Sequence, residues 1–348
     1  LCHDSRRRDS LDKQRVQTHT TPSAGRERAI PTLDLGDYLA GSEATAEALA
    51  ETLRYTQENV GFYVVVNHGV PRDIIDRGYA ELREFFALPD AEKLRIRIND
   101  KTVGYIPPRS TMYVSATVHK NTKKDLNETI TLARERPADD PAIRSGMRFV
   151  GPNQWPPGRP AFRDAMLAYQ NAIAKLGYAM LPLYARALEM PPDYFAPYFT
   201  EPLWWTRNSH YAPIEPEDNQ FGIAPHCDHS FITLLPISDV SGLQVMWPDG
   251  QWVSVDPVPN GIVINTGEFL ARWTNGRFLA TPHRVVMPTR DRYSMAMFFN
   301  PNHDTMAVPL PSCVTAERPA RYEPVSMLEY MSWYMDTNYR REGGGRQQ

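Results

Sequence analysis

Three side chains in this sequence are placed to share one metal ion. His226-Cys227-Asp228 puts an imidazole and a carboxylate two positions apart. On a strand, positions i and i+2 point to one face, so these two converge while Cys227 turns away. A second imidazole follows in Thr281-Pro282-His283-Arg284-Val285, at the expected start of another strand. Two His and one carboxylate form the facial donor set of non-haem ferrous centres, which keeps coordination positions open for a chelating cosubstrate and dioxygen. His-x-Asp is common by itself. A zinc reading stays open because His229 adjoins Asp228, although on a strand His229 would face the other way.

A second group suits a carboxylate rather than a metal. In Arg292-Tyr293-Ser294, strand alternation brings Arg292 and Ser294 to one face. A guanidinium grips a carboxylate by two parallel hydrogen bonds, and a neighbouring hydroxyl adds a third. That suits the distal carboxylate of 2-oxoglutarate, whose 2-oxo acid end would chelate the metal. Tyr211, in Arg207-Asn208-Ser209-His210-Tyr211-Ala212-Pro213, is placed to bring a phenol to the same carboxylate. Taken singly, each signal is weak, since strand arginines are mostly solvated and strand tyrosines mostly core.

These residues need a scaffold, and from Trp204 onward the sequence has the texture of one. Short apolar runs alternate with turns at 204–211, 221–226, 231–237, 242–247, 251–255, 261–265, 283–288 and 292–299. Such spacing predicts a β-sandwich or barrel. Ahead of it, 30–35 and 61–66 read as strands, and 44–59 has the composition of a helix. A further helix opens at Pro71 and runs to about Phe86. Residues 161–190 carry apolar positions at helical spacing, with Pro182 expected to kink the end. A last helix covers 326–339. Residues 99–160 are rich in Pro and polar residues, a length of irregular chain that is uncommon unless functional. The expected division is a tail at 1–28, an N-terminal region at 29–160, and a helix plus β core and C-terminal helix at 161–348.

Composition excludes several classes. With 42% hydrophobic and 23% charged residues the chain is an ordinary globular one. A net charge of −3 leaves no nucleic-acid footprint, and no apolar run is long enough for a membrane span. Three scattered cysteines make no disulfide framework, so a cytoplasmic, reducing compartment is expected. The basic start lacks an apolar stretch and an initiating Met, and reads as a disordered polar tail or a cloning remnant, with a basic arm for an acidic partner as the alternative. Oligomeric state is not readable.

In this order the pieces resemble the 2-oxoglutarate/Fe(II)-dependent dioxygenase superfamily of the isopenicillin N synthase-like type. The resemblance runs over roughly 30–339. It rests on Ile30-Pro31, Gly61-Phe62-Tyr63 and Asn67-His68-Gly69-Val70-Pro71 in the first half. In the second half it rests on Pro225-His226-Cys227-Asp228, Thr233-Leu234-Leu235, Gly242-Leu243-Gln244-Val245, Asn265-Thr266-Gly267-Glu268, Thr274-Asn275-Gly276, His283-Arg284-Val285 and Arg292-Tyr293-Ser294. The resemblance implies a double-stranded β-helix (jelly-roll, cupin-like) core framed by helices. It implies Fe(II) at His226, Asp228 and His283, and 2-oxoglutarate at Arg292, Ser294 and Tyr211. Dioxygen would oxidise a small organic molecule by hydroxylation, demethylation, desaturation or cyclisation, with succinate and carbon dioxide released. Cys227, Ser209-His210-Tyr211 and Glu268 depart from the commoner Thr, Asn-Tyr-Tyr and Asp. Candidates for the substrate pocket are Tyr105, Arg109, Met112, Tyr113, Trp204, Phe221, Trp247, Phe299 and Asn300. The alternatives are an iron oxidase of the same fold that does not use 2-oxoglutarate, a catalytically silent binding module, and a zinc hydrolase.

Overall fold

The computed structural model describes residues 29–114 and 119–341, so the basic start and the last residues lie outside it. The run of short apolar segments folds into two layers, antiparallel throughout except where β1 runs parallel to β2 at the edge of the larger one. In chain order the strands are β1 (Thr32–Asp34), β2 (Phe62–Val66), β3 (Gly104–Ile106), β4 (Thr111–Tyr113), β5 (Glu128–Ala133), β6 (Pro202–Tyr211), β7 (Ile223–His226), β8 (Ile232–Pro236), β9 (Leu243–Met246), β10 (Trp252–Ser254), β11 (Ile262–Thr266), β12 (His283–Val285), β13 (Arg292–Asn302), β14 (Met306–Ala307), β15 (Val325–Ser326) and β16 (Tyr339–Arg341). The larger sheet has the order β1-β2-β11-β8-β13-β6-β5-β3, and the smaller β10-β9-β12-β7. Both halves of the sequence therefore build one sheet. The sheets meet where the Phe62 ring of β2 packs edge-on against His283 of β12, centroids 5.2 Å apart. This is a jelly-roll, double-stranded β-helix core, which leaves its inner faces free to carry a site.

The helices that frame the core include α1 (Glu43–Asn59), α2 (Arg72–Phe86), α3 (Pro160–Ala187), α4 (Glu268–Trp273) and α5 (Met327–Asn338). Ser42 caps α1 by accepting from Thr45 N, and Ser326 with Glu329 closes α5 in a reciprocal capping box. Pro182 lies inside α3, and Pro71 is the residue before α2 rather than its first turn. Helices α2 and α3 cover the outer face of the large sheet. There Gly78 lets α2 approach Met295, and Gly177 lets α3 approach the Phe299 ring. Residues 99–160 contribute β3, β4 and β5 as well as loops, so this stretch is more ordered than its composition suggests. Strand β12 is only three residues, with a bulge against β7, where the sequence suggested six. The short helix α4 had no periodic signal, because six residues buried on every side show no amphipathic pattern.

Candidate metal centre and cosubstrate site

Strand pairing brings the two imidazoles together. His226 ends β7, His283 begins β12, and the two are direct antiparallel partners with ring centroids 4.4 Å apart. Asp228 lies two residues past β7, in a loop. That loop is tied down at its backbone: Glu268 N donates to Asp228 O at 2.7 Å, and Gly267 N to Phe231 O at 3.1 Å. The helix start approaches so closely that a Cβ on Gly267 would lie 2.0 Å from Ser230 O. Only glycine permits this contact.

Hydrogen bonds fix which atoms face the centre. His226 Nδ1 meets Ala224 O at 2.8 Å, and His283 Nδ1 meets Thr281 O at 3.2 Å. A carbonyl only accepts, so each Nδ1 carries a proton, and Nε2 is the atom whose lone pair each neutral ring would present to a metal. Both Nε2 atoms face Asp228 Oδ1, at 3.6 Å from His226 and 3.5 Å from His283. The other carboxylate oxygen, Oδ2, accepts from Thr233 Oγ1 at 2.7 Å and Asn265 Nδ2 at 2.8 Å. These are the partners that orient a ligating carboxylate. The three ligand atoms lie within 4.8 Å of one another. Bonds of about 2.1 Å to a central ion put neighbouring donors about 3 to 3.5 Å apart, so the set fits one metal. Burial opposes ionisation of Asp228, but His283 and His226 hold its carboxyl well below the usual range. Burial and the charge of His283 push His226 down, which keeps it a neutral donor. Burial also works against a charge on His283, yet Asp228 raises it.

The neighbouring strands bring Arg292, Ser294 and Tyr211 to neighbouring register positions. Arg292 opens β13 opposite Tyr211, and Ser294 lies opposite Ser209. The Arg292 guanidinium sits over the Tyr211 ring, 4.9 Å from its centroid, and its Nε donates to Val240 O at 3.1 Å. Its Nη1 is buried with no acceptor among the described residues, which fits a carboxylate arriving from a ligand.

The pocket candidates divide sharply. Tyr113 stacks on His226 at 4.3 Å. Trp204 and Phe299 are strand partners whose side chains lie on the helix-covered face, where Phe299 packs against Gly177 and Phe199. Tyr105 also lies outside the inner face, with its hydroxyl on Glu128 Oε2 at 2.6 Å. Asn300 is a buried framework residue, accepting from Phe231 N at 3.1 Å. Arg109 is exposed at a left-handed turn, φ +59. Met112 is half-exposed opposite Arg340, and Trp247 sits at the β9–β10 turn. Phe221 lies in the loop before β7, under the Arg284 guanidinium at 5.3 Å.

The cleft beside Tyr113 is instead lined by Trp205, Arg207, His229, Phe298, Tyr334 and Tyr339, with Ile98 and Ile106 among others. Sequence reasoning missed these, though a signal existed. Counting by twos from Tyr211 reaches Arg207 and Trp205, and from Arg292 it reaches Phe298. Because a strand's side-chain period is two, choosing Trp204 and Phe299 instead turned every contact to the opposite face. His229 is not governed by strand alternation, because β7 has already ended. Its ring packs against Trp205, Phe298 and Tyr334 rather than joining the metal cluster, and burial lowers it to about 4. Cys227 turns away, donating to Ala280 O, and His210 lies on the outer face between Glu128 and Asp291.

Comparison with known proteins agrees with this architecture. Residues 30–158 match the family described as non-haem dioxygenase in morphine synthesis N-terminal, and 205–301 match the 2OG-Fe(II) oxygenase superfamily. The chain is 32% identical over 324 residues to the 2-oxoglutarate-Fe(II) type oxidoreductase hxnY of Emericella nidulans, covering 90% of this chain and 91% of that one. This chain belongs to the 2OG-Fe(II) oxygenase superfamily. Among solved structures, a full-length Neurospora crassa protein in complex with alpha-KG and thymine superposes with a TM-score of 0.77 at 26% identity, covering 91% of this chain and 99% of that one. A putative 2OG-Fe(II) oxygenase family protein from Caulobacter crescentus gives 0.76 at 30% identity, covering 88% and 98%. This oxygenase is thus an oxidoreductase that uses Fe(II), 2-oxoglutarate and dioxygen, like its small-molecule-oxidising relatives. No helix among the described residues is long and apolar enough to cross a membrane.

Proposed function

We propose that this oxygenase binds Fe(II) through His226 Nε2, Asp228 Oδ1 and His283 Nε2, and that Arg292, Ser294 and Tyr211 hold 2-oxoglutarate beside it. A small organic molecule would be oxidised at a C–H bond, its apolar body resting against Tyr113, Trp205 and Phe298. The observation that carries this reading is the convergence of two imidazole Nε2 atoms, each ring held through Nδ1 by a backbone carbonyl, on one carboxylate oxygen. When bound, the metal and its cosubstrate supply the oxidant that takes hydrogen from the substrate, with succinate and carbon dioxide as by-products. The chain's own residues do the positioning. Thr233 and Asn265 hold Asp228 to one rotamer, and the Ala224 and Thr281 carbonyls hold the imidazoles. Tyr113 covers one face of His226 and keeps water from that side. Residues 29–160 act as the N-terminal region and 161–348 carry the reacting core. The buried thiols of Cys227 and Cys313, which form no disulfide among the described residues, suit a reducing, cytoplasmic setting.

Anaerobic addition of Fe(II) and 2-oxoglutarate should produce a visible charge-transfer band. A substrate screen scored by succinate release, with products identified by mass spectrometry, then separates hydroxylation from demethylation, desaturation and cyclisation. Neither band nor succinate, despite iron-dependent oxygen uptake, would favour an oxidase that uses the Arg292 grip for its own substrate. Replacing the grip, Arg292→Leu, should raise the 2-oxoglutarate concentration needed for half-maximal turnover by about tenfold or more.

A further inference from the structure

One charged group in the cleft has no role in the site described so far. Arg207 projects from β6 on the face that carries Ser209 and Tyr211, and it lines the cleft with Tyr113, Tyr339, Trp205 and Phe298. Its Nη1 donates to Tyr339 Oη at 3.0 Å and lies 3.4 Å from Tyr113 Oη. Its Nε and Nη2 are enclosed and have no acceptor among the described residues. Among those residues no carboxylate pairs with it. Asp125 lies within its field, but the oxygens of that carboxylate face Ala224 N at 2.9 Å and Thr111 Oγ1 at 3.4 Å.

The unpaired atoms matter by their identity. Nε–H and one Nη2–H point the same way and form the side-on fork of the guanidinium, which matches the two oxygens of a carboxylate. Native proteins rarely leave enclosed donors without acceptors, and a charged donor is the least tolerable case. The rest of the wall argues for a single negative charge on a mostly apolar molecule. Among the described residues no second arginine and no lysine lines the cleft, whereas Ile98, Ile106, Trp205, Phe298 and Met335 do.

We propose that Arg207 anchors the substrate, with its Nε–Nη2 edge taking the carboxylate of a small monocarboxylic acid whose apolar body lies against Trp205 and Phe298. This deepens the function proposed above and rests on it. Tyr339 and Tyr113 hold the guanidinium in place, and Tyr113 joins the anchor to the metal site by its stack on His226. Fixing one end of the molecule limits which carbon reaches the centre, so Arg207 would set the position oxidised as well as the substrate class.

The test uses the full chain loaded anaerobically with Fe(II) and saturating 2-oxoglutarate. Calorimetric titrations compare 2-naphthoate and trans-cinnamate with their carboxamides, which match in shape but carry no charge. The acids should bind about 10- to 100-fold more tightly than the amides, the range expected of charge-assisted hydrogen bonds. Arg207→Gln should erase that preference while the Fe(II)–2-oxoglutarate band persists. Tyr339→Phe, a milder change, should weaken the acids a few-fold and leave the amides alone. Equal binding of acid and amide by the unaltered protein overturns the proposal without any variant. So does failure of both acids to bind, a preference that survives Arg207→Gln, or displacement of the acid by 2-oxoglutarate, which would place it at Arg292. In each of these cases the band remains and the iron reading stands, whereas a missing band in the unaltered protein removes both.

Discussion

Asp228 shows how one side chain is assigned its work. One oxygen is occupied by Thr233 and Asn265, so only Oδ1 is offered to the centre. Asp228→Ala should abolish succinate release and leave the two donors facing an empty space. The loss of their acceptor should cost about 1–3 kcal/mol of stability, read from urea melts of a protein that still folds. Asp125 behaves differently. Burial pushes its carboxyl up from 3.8 to about 7, against the pull of Ala224 N and Arg207. A raised folded value means its contribution to stability is fully present below pH 3.8 and is lost as pH rises through about 7. The whole shift corresponds to on the order of 4 kcal/mol. Asp125→Asn keeps an oxygen for Ala224 N and removes the titration. It should therefore be more stable than the unaltered protein at pH 8, with the gap narrowing as pH falls from 7 toward 4. Equal pH slopes in the two proteins would contradict this account.

At the scale of elements, the decisive piece is the contact between the 228–231 loop and α4. Gly267 caps the helix against Ser230, and Glu268 N holds the Asp228 carbonyl. Gly267→Ala forces a Cβ into backbone that has nowhere to go. The expected loss is about 1–3 kcal/mol, the range for overpacking, together with weaker iron binding because Asp228 moves with its loop. Iron titrations of the folded variant check the second part. The strands carry a related lesson. Their positions along the chain were legible from apolar runs, but β6 and β13 are buried on both faces, so alternation of polarity did not say which residues face inward. Alternation counted from Tyr211 and Arg292 does separate them, placing Trp205 and Phe298 inward and Trp204 and Phe299 on the face that α3 covers.

For the whole molecule, the first and second halves of the chain share one sheet, and the site lies between that sheet and the smaller one. The two imidazoles come from the small sheet and the Arg292 guanidinium from the large one. A ligand set that bridges both layers should stabilise the folded state as a unit. Fe(II) with 2-oxoglutarate, each at about 100-fold its dissociation constant under anaerobic conditions, should each add about 2.7 kcal/mol. Thermal melts should show the increase, and chelation of the iron should reverse its part. No change in the melt would mean that the triad does not hold iron in the native state.

By itself, the sequence determined the fold class, the order of most strands and helices, and the His-Asp-His set that the fold brings together, because these follow from residue type, spacing and local periodicity. Tertiary structure alone decided which strand faces the helices cover, and it fixed the loop at Asp228 against α4. It also left Arg207 with an unpaired edge inside the cleft. Those outcomes depend on what packs against each element from far along the chain, and a window of neighbouring residues carries no record of it.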